Sequence, residues 1–356
     1  MIVGVDLMNV AVREARITGY ESFNWTHSYH EMDTFEFAIS GDLAVAAQLA
    51  VYKGVLLIEK IGNETYQYPG IIDFIEDDIT SFKRLIVKGV SYGKFNKRIS
   101  ANGLSAGDGY DKQVDTPVNL MRHYVDVNCI TTAAKRKVEN LLIGTADAIN
   151  VTDYTFEFRG EYIKECLQKI SYATGVGWRV MYRNGNFHFD VYEGPTISNI
   201  IFTRSGGTLE ELKIISDVSN YANACYVFAE GEGSTRTIEE IDDGSVGILR
   251  DEMLLSVSKD DSAIDEGNAA LKEVSEVVTI EATPLENNFV YGVNYTLGDI
   301  IKVSEAGSVY EARLVEVKDE FNGGFWTKKF TLGKKKQSFS NQYKYERRNF
   351  WHLARM

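Results

Sequence analysis

Along Phe23–Ile39, FNWTHSYHEMDTFEFAI, the side chains Phe23, Trp25, His27 and Tyr29 share one parity, and Phe35, Phe37 and Ile39 form a second alternating run. An apolar or aromatic residue at every second position is the mark of a strand with one face on a core. The pattern predicts two strands joined through Glu31 to Thr34. The same period runs through VLLIEKIGNETYQYPGIIDFIEDDI, with a hairpin tip at Gly62-Asn63-Glu64, and through FKRLIVKGVSY. Helical spacing is rarer. GDLAVAAQLAV is helix-prone, and VNLMRHYVDV follows Thr116 as a cap and Pro117 in the first turn. In GEYIKECLQKISYATG, the residues Tyr162, Ile163, Cys166, Leu167, Ile170 and Ala173 recur at helical spacing and end at Gly175.

Strand patterns fill the rest. TFEFR precedes the helix ending at Gly175, and WRVMYRNGNFHFDVYEG follows it as a hairpin turning at Asn184-Gly185. Then come NIIFTR, ELKIISDVSNYANACYVFAEGEG, VVTIEATPL, YTLGDIIKVSE, VYEARLVEVKDEF and WTKKFTLG, with one helix around Ser262 to Glu276. Short strands at regular spacing predict a barrel. Between Ser100 and Lys112 the composition turns to Gly, Ser and Asp, the chemistry of a loop. The fold class is therefore α+β, mainly β. The expected organisation is a first β-barrel domain over 1–100, a loop and helical insertion over 101–150 and a small α/β domain over 151–205. A second β-barrel domain with one helix covers 206–335, and a basic aromatic tail covers 336–356.

Composition sharpens this picture. A chain of 356 residues has room for several cores. With 20 Tyr and 18 Phe against 4 Pro, it suits many strands and few rigid linkers. Cys129, Cys166 and Cys225 are odd in number and scattered, which fits a reducing compartment rather than a disulfide framework. Asp6 and Arg13 interrupt the N-terminal segment, so neither an export signal nor membrane embedding is expected. The net charge of −13 is uneven: residues 82–107 carry Lys83, Arg84, Lys88, Lys94, Lys97 and Arg98 with no acid, and the C-terminus is basic again. The overall sign opposes duplex binding, and the basic run reads as a solvated face or a protein contact.

The candidate chemistry is thin. His27, His30 and Glu31 would cluster as metal ligands on a helix, but a strand sends His27 and His30 to opposite faces. GLSAG at 103–107 spells a nucleophile elbow, yet Ser105 lies in a Gly-Asp loop without the strand and helix an elbow needs. TGVGWR ends a helix instead of opening one. Glu239, Glu240, Asp242, Asp243 and Gly244 lack calcium-loop spacing and read as a solvated acidic turn. His123 and His188 have no partner that spacing identifies. No catalytic residue, cofactor site or metal site is expected, and the chain is not read as an enzyme.

The order of segments resembles the tail-hub proteins of long-tailed phages and related prophages, which form the baseplate hub or tail-associated protein. The resemblance rests on SYHEMDTFEFAIS, VKGVSYGKFNKRI, YTFEFRGEYIKECLQKISYATGVGWRVMYRNGNFHFDVYEG, SNYANACYVFAEGEGSTR and LGDIIKV followed by RLVEVKDEF. Similar proteins often continue the second hairpin with Gly-Asp-Arg, where this chain has Gly194-Pro195-Thr196. The family implies a homotrimer in which each subunit gives two barrels, ringing a channel beneath the tail tube. It implies distal-tail or tail-tube proteins on one side, tail-tip or receptor-binding proteins on the other, and DNA only in transit. The implied location is the virion tail tip or baseplate, after assembly in the host bacterial cytoplasm. Some similar proteins carry a C-terminal wall-degrading extension, and the end at Met356 leads to the expectation of a structural hub. The alternatives are a cell-wall hydrolase or a carbohydrate-binding module of the tail tip.

Two surfaces follow as expectations. Glu230, Glu232, Glu239, Glu240, Asp242 and Asp243 are candidates to line the channel, because a basic wall would hold DNA phosphates. Tyr343, Tyr345, Arg347, Arg348, Phe350 and Trp351 are candidates to dock on an acidic partner.

Overall fold

The computed structural model describes residues 2–61, 63–78, 83–102, 104, 109–219, 221–228, 236–257, 263–274, 278–285 and 288–333. They fall into two compact units, one of residues 1–213 with 281–332 and one centred on 214–280. The chain begins with β1 (Ile2–Asn9), β2 (Val12–Ile17), β3 (Tyr20–Ser28), β4 (Thr34–Ser40), β5 (Gly54–Ile61), β6 (Glu64–Asp78) and β7 (Arg84–Ser91). A middle region follows with β8 (Asp111–Asp115), α1 (Pro117–Val125), β9 (Leu141–Asp147), β10 (Tyr154–Phe158), α2 (Ile163–Thr174), β11 (Gly177–Arg183) and β12 (Asn186–Tyr192). Then come β13 (Thr196–Phe202) and β14 (Leu209–Ser216). The second unit holds β15 (Ala224–Phe228), β16 (Ile238–Asp242), β17 (Glu252–Ser256) and α3 (Ala263–Val274). The chain returns through β18 (Val278–Pro284), β19 (Ile300–Glu305), β20 (Ser308–Asn322) and β21 (Phe325–Gly333).

Strands from the two ends of the sequence meet in one mainly β, curled half-barrel sheet. Its order runs β21-β20-β3-β4-β7-β6-β5-β1-β2, with β20 antiparallel to β3 in the register Val317↔His27 and Asp319↔Trp25. The alternation read in Phe23–Ile39 explains the interior. Phe23, Trp25, Phe35, Phe37, Val55, Leu57, Ile72 and Val87 all point into one buried cluster, each large side chain contributing about 1.5–3 kcal/mol. The Trp25 and Phe35 rings stack at 4.9 Å. Phe35 lies directly across from Gly89 on β7, and a Cβ there would meet its Cζ at 2.3 Å and the Ile71 carbonyl at 2.2 Å. The glycine lets the ring cover the backbone.

The long helix and the second hairpin of the middle region form as their patterns predict. α2 buries Cys166, Leu167 and Ile170 and stops where Gly175 takes φ 77°. The β11–β12 hairpin turns at Asn184 and Gly185, both at positive φ, 51° and 78°. β9 adds in parallel to β12. β8 and β9 were not read from the sequence, since neither alternates cleanly. GDLAVAAQLAV does not form the expected helix: it gives only a 3-10 turn at Ala46–Gln48. Its backbone bonds, Ala46 N to Leu43 O, Gln48 N to Val45 O and Leu49 N to Ala46 O, all span three residues. Val45 and Ala46 pack onto the interior cluster, and tertiary packing overrides propensity. Thr116 occupies the cap of α1 but makes no side-chain cap bond; Asp115 instead accepts from Thr116 N at 2.7 Å and Asn119 Nδ2 at 2.8 Å.

In the second unit, β15 pairs antiparallel with β16 and parallel with β17. α3 packs on β15 and β16. All three cysteines are free and buried.

Candidate functional site

In each of four strands a polar side chain occupies an inward position next to apolar ones. On β3, His27 continues the stripe of Phe23 and Trp25; on β5, Glu59 follows Val55 and Leu57; on β20, Asp319 follows Val317; on β21, Lys328 stands between Trp326 and Phe330. The register sets Asp319 directly opposite Lys328. Lys328 Nζ donates to Asp319 Oδ1 at 2.5 Å and to Glu59 Oε1 at 3.1 Å. His27 Nδ1 lies 2.9 Å from Asp33 Oδ2, and Asp33 Oδ1 accepts from Ser28 N at 3.0 Å. On its other side His27 Nε2 is 3.7 Å from Asp319 Oδ2. His27, Glu59 and Asp319 are 2%, 1% and 4% exposed, so every charge here must be matched from within.

Aromatic rings complete the surroundings. Tyr68 packs against His27 with 4.1 Å between centroids and the rings inclined at 49°, and Lys328 Nζ sits 4.6 Å over the Tyr291 ring. Beside the network lies a cavity of about 210 Å³ whose wall includes His27, Tyr66, Tyr68, Arg179 and Tyr192. Tyr29, just beyond the end of β3, carries its hydroxyl to the carbonyls of Gly175 at 3.0 Å and Tyr192 at 3.3 Å, anchoring the middle region to the sheet.

The titration behaviour follows from this geometry. Burial disfavours a charged His27 ring, but Asp33, through charge and hydrogen bond, and then Asp319 and Glu59 outweigh it and raise its pKa. Burial raises the Asp319 carboxyl, opposed by Lys328. Lys328 is raised despite its own burial, by Asp319 and Glu59. Burial pushes Tyr68 and Tyr291 well above the ordinary phenol value. Chemically, the network is an electrostatic tie between β3, β5, β20 and β21.

The sequence-derived candidates lie elsewhere. His30 lies in the bend after β3, not on the strand, and bonds Ser171 Oγ at 2.7 Å, stacking on Tyr172. His123 Nε2 sits 3.0 Å from both oxygens of Asp111. Glu239, Glu240 and Asp242 lie along β16, with Asp243 beyond it, and Glu239, Glu240, Asp242 and Asp243 are solvent-facing in this unit. Arg250 gathers part of the group, reaching Asp242 at 2.6 Å, Glu252 at 2.7 Å and Glu240. Asp242 and Asp243 accept from Gly244 N at 3.1 Å and Ser245 N at 2.9 Å, holding a turn. Glu230, Glu232, Tyr343, Tyr345, Arg347, Arg348, Phe350, Trp351 and Ser105 lie outside the described residues. The basic run is largely paired with neighbouring acids: Lys83 with Asp42, Arg84 with Glu21, Lys88 with Glu36 and Lys94 with Asp73.

Sequence reasoning missed Glu59 and Asp319 as neighbours of His27, and Lys328 as the cation that joins those two carboxylates. The usable signal was a charge at the buried parity of each strand.

The sequence profile of the family described as Siphovirus ReqiPepy6 Gp37-like protein matches residues 11–334. No curated protein matches significantly. Among solved structures, the chain is similar to the tail protein from Neisseria meningitidis MC58, with a TM-score of 0.57 at 13% identity, over 93% of this chain and 96% of that one. It is similar to the 43 kDa tail protein of prophage MuSo2 from Shewanella oneidensis, with a TM-score of 0.56 at 12% identity, over 92% and 97%. Prophage tail protein gp18 from Listeria monocytogenes EGD-e gives 0.55 at 12% identity, over 95% and 96%. At such identities the likeness is one of fold.

Proposed function

The chain belongs to the Siphovirus ReqiPepy6 Gp37-like protein family and is a phage tail protein, and on that premise we propose that it is the structural hub of the tail tip. In this reading three copies form a ring that closes or extends the tail tube and adapts it to receptor-binding or cell-puncturing components. The observation that carries the reading is the fold likeness to phage and prophage tail proteins along nearly the whole length of both chains.

The construction suits such a part. This chain ties its last strands to its early ones both by the β3–β20 ladder and by buried charges, which suits a part that must keep its shape within an assembly. In the ring, Glu230, Glu232, Glu239, Glu240, Asp242 and Asp243 face the passage and repel DNA phosphates. Tyr343, Tyr345, Arg347, Arg348, Phe350 and Trp351 dock on a neighbouring subunit.

Electron microscopy of particles produced without this chain tests the role. Tail tubes that lack a terminal structure are the expected result. Complete tails that fail only to clear host cell wall, together with wall-lytic activity of the purified chain in a zymogram, would instead favour the hydrolase reading.

A further inference from the structure

We propose that His27, Glu59 and Asp319 form a binding site for one divalent transition-metal ion, zinc by its donor set. The three side chains come from β3, β5 and β20, and one ligand atom of each lies within 4.8 Å of the others. His27 Nε2, Glu59 Oε2 and Asp319 Oδ2 are buried and have no hydrogen-bond partner among the described residues. Orphaned buried polar atoms are costly, and three residues that each carry one, grouped this closely, suit a shared cationic partner. Lys328 does not fill that role, because it engages the opposite oxygens, Glu59 Oε1 and Asp319 Oδ1. Asp319 thus presents Oδ1 to the ammonium and Oδ2 to His27, and Glu59 keeps Oε2 unpartnered beside its bond to the ammonium.

The arrangement around the imidazole matches a ligand more closely than an ion-pair partner. A nitrogen–oxygen separation of 3.7 Å between His27 and Asp319 is too long for a direct hydrogen bond, but two ligands at about 2.1 Å from a tetrahedral ion stand about 3.4 Å apart. Asp33 accepts from Nδ1 at 2.9 Å, which leaves the lone pair on Nε2, the carboxylate–histidine pairing that orients metal-bound imidazoles. His27 also borders the cavity, which supplies a route in and room for a water as fourth ligand.

The test uses the full chain, stripped with chelator and titrated with Zn²⁺ alone by calorimetry, and crystals of the zinc-treated protein measured at the zinc absorption edge. The expected result is one bound ion per chain, with an anomalous peak between His27, Glu59 and Asp319. His27→Gln should abolish that binding, Asp33→Asn should weaken it about 10- to 100-fold, and His123→Gln should leave it intact. The proposal is overturned by absence of stoichiometric binding, or by an anomalous peak at His123 and Asp111 instead. The edge measurement on the unmodified chain decides the matter even where a variant does not fold.

Discussion

Asp319 on β20 and Lys328 on β21 stand directly opposite each other, 2.5 Å apart, and the same ammonium reaches Glu59 on β5 at 3.1 Å. One lysine therefore serves two buried carboxylates. In the chelator-treated chain, Lys328→Met leaves both carboxylates without the ammonium and should cost about 3–5 kcal/mol of stability by denaturant unfolding. Adding Glu59→Gln and Asp319→Asn should recover most of that loss, since the burden is unpaired charge and not lost packing. A loss below about 1 kcal/mol in the single variant would show that the network is dispensable.

Gly89 is small because Phe35 must lie over it. Gly89→Ala forces a methyl against the Phe35 ring and the Ile71 carbonyl and should destabilise by about 1–3 kcal/mol. The backbone oxygen has little freedom to retreat, so trimming the ring with Phe35→Leu should restore only part of the loss. Full additivity of the two changes would mean that ring and glycine do not interact.

His30 supplies a pH dependence. Burial, helped by Arg313, lowers its pKa to about 3 from 6.5. The unfolded chain then binds a proton that the folded chain refuses, so this contribution is fully present above pH 6.5 and is lost as pH falls toward 3. The slope approaches at most about 1.4 kcal/mol per pH unit. Stability curves of the wild type and His30→Gln, measured between pH 7 and pH 4, should differ in slope in that sense. Parallel curves would contradict it.

The sheet was legible where one face alternates. Phe23, Trp25, Phe35 and Phe37 announced β3 and β4, and Asn184-Gly185 announced the hairpin. The pairing of β20 with β3 was not legible, because register between segments some 290 residues apart depends on closure of the sheet and leaves no local trace. For the same reason His27 was weighed only against His30 and Glu31, its chain neighbours, while its partners Glu59 and Asp319 arrive from other strands. The 3-10 turn at Ala46–Gln48 shows the converse, a local preference overruled by packing.

The two proposed surfaces have separate readouts in assembled particles. Changing Glu239, Glu240, Asp242 and Asp243 to Lys should slow DNA ejection while leaving the ring intact, because phosphates would then be held in passage. Truncation after Gly333 should impair tail assembly and infectivity. Normal ejection in the first case, or normal infectivity in the second, would remove that surface from the account.

The central claim is a threefold hub, and cryo-electron microscopy of the intact tail tip measures it most directly. The account predicts three copies of this chain around the tail axis, beneath the tube. Six copies, a single copy, or a position away from the tail tip would contradict it.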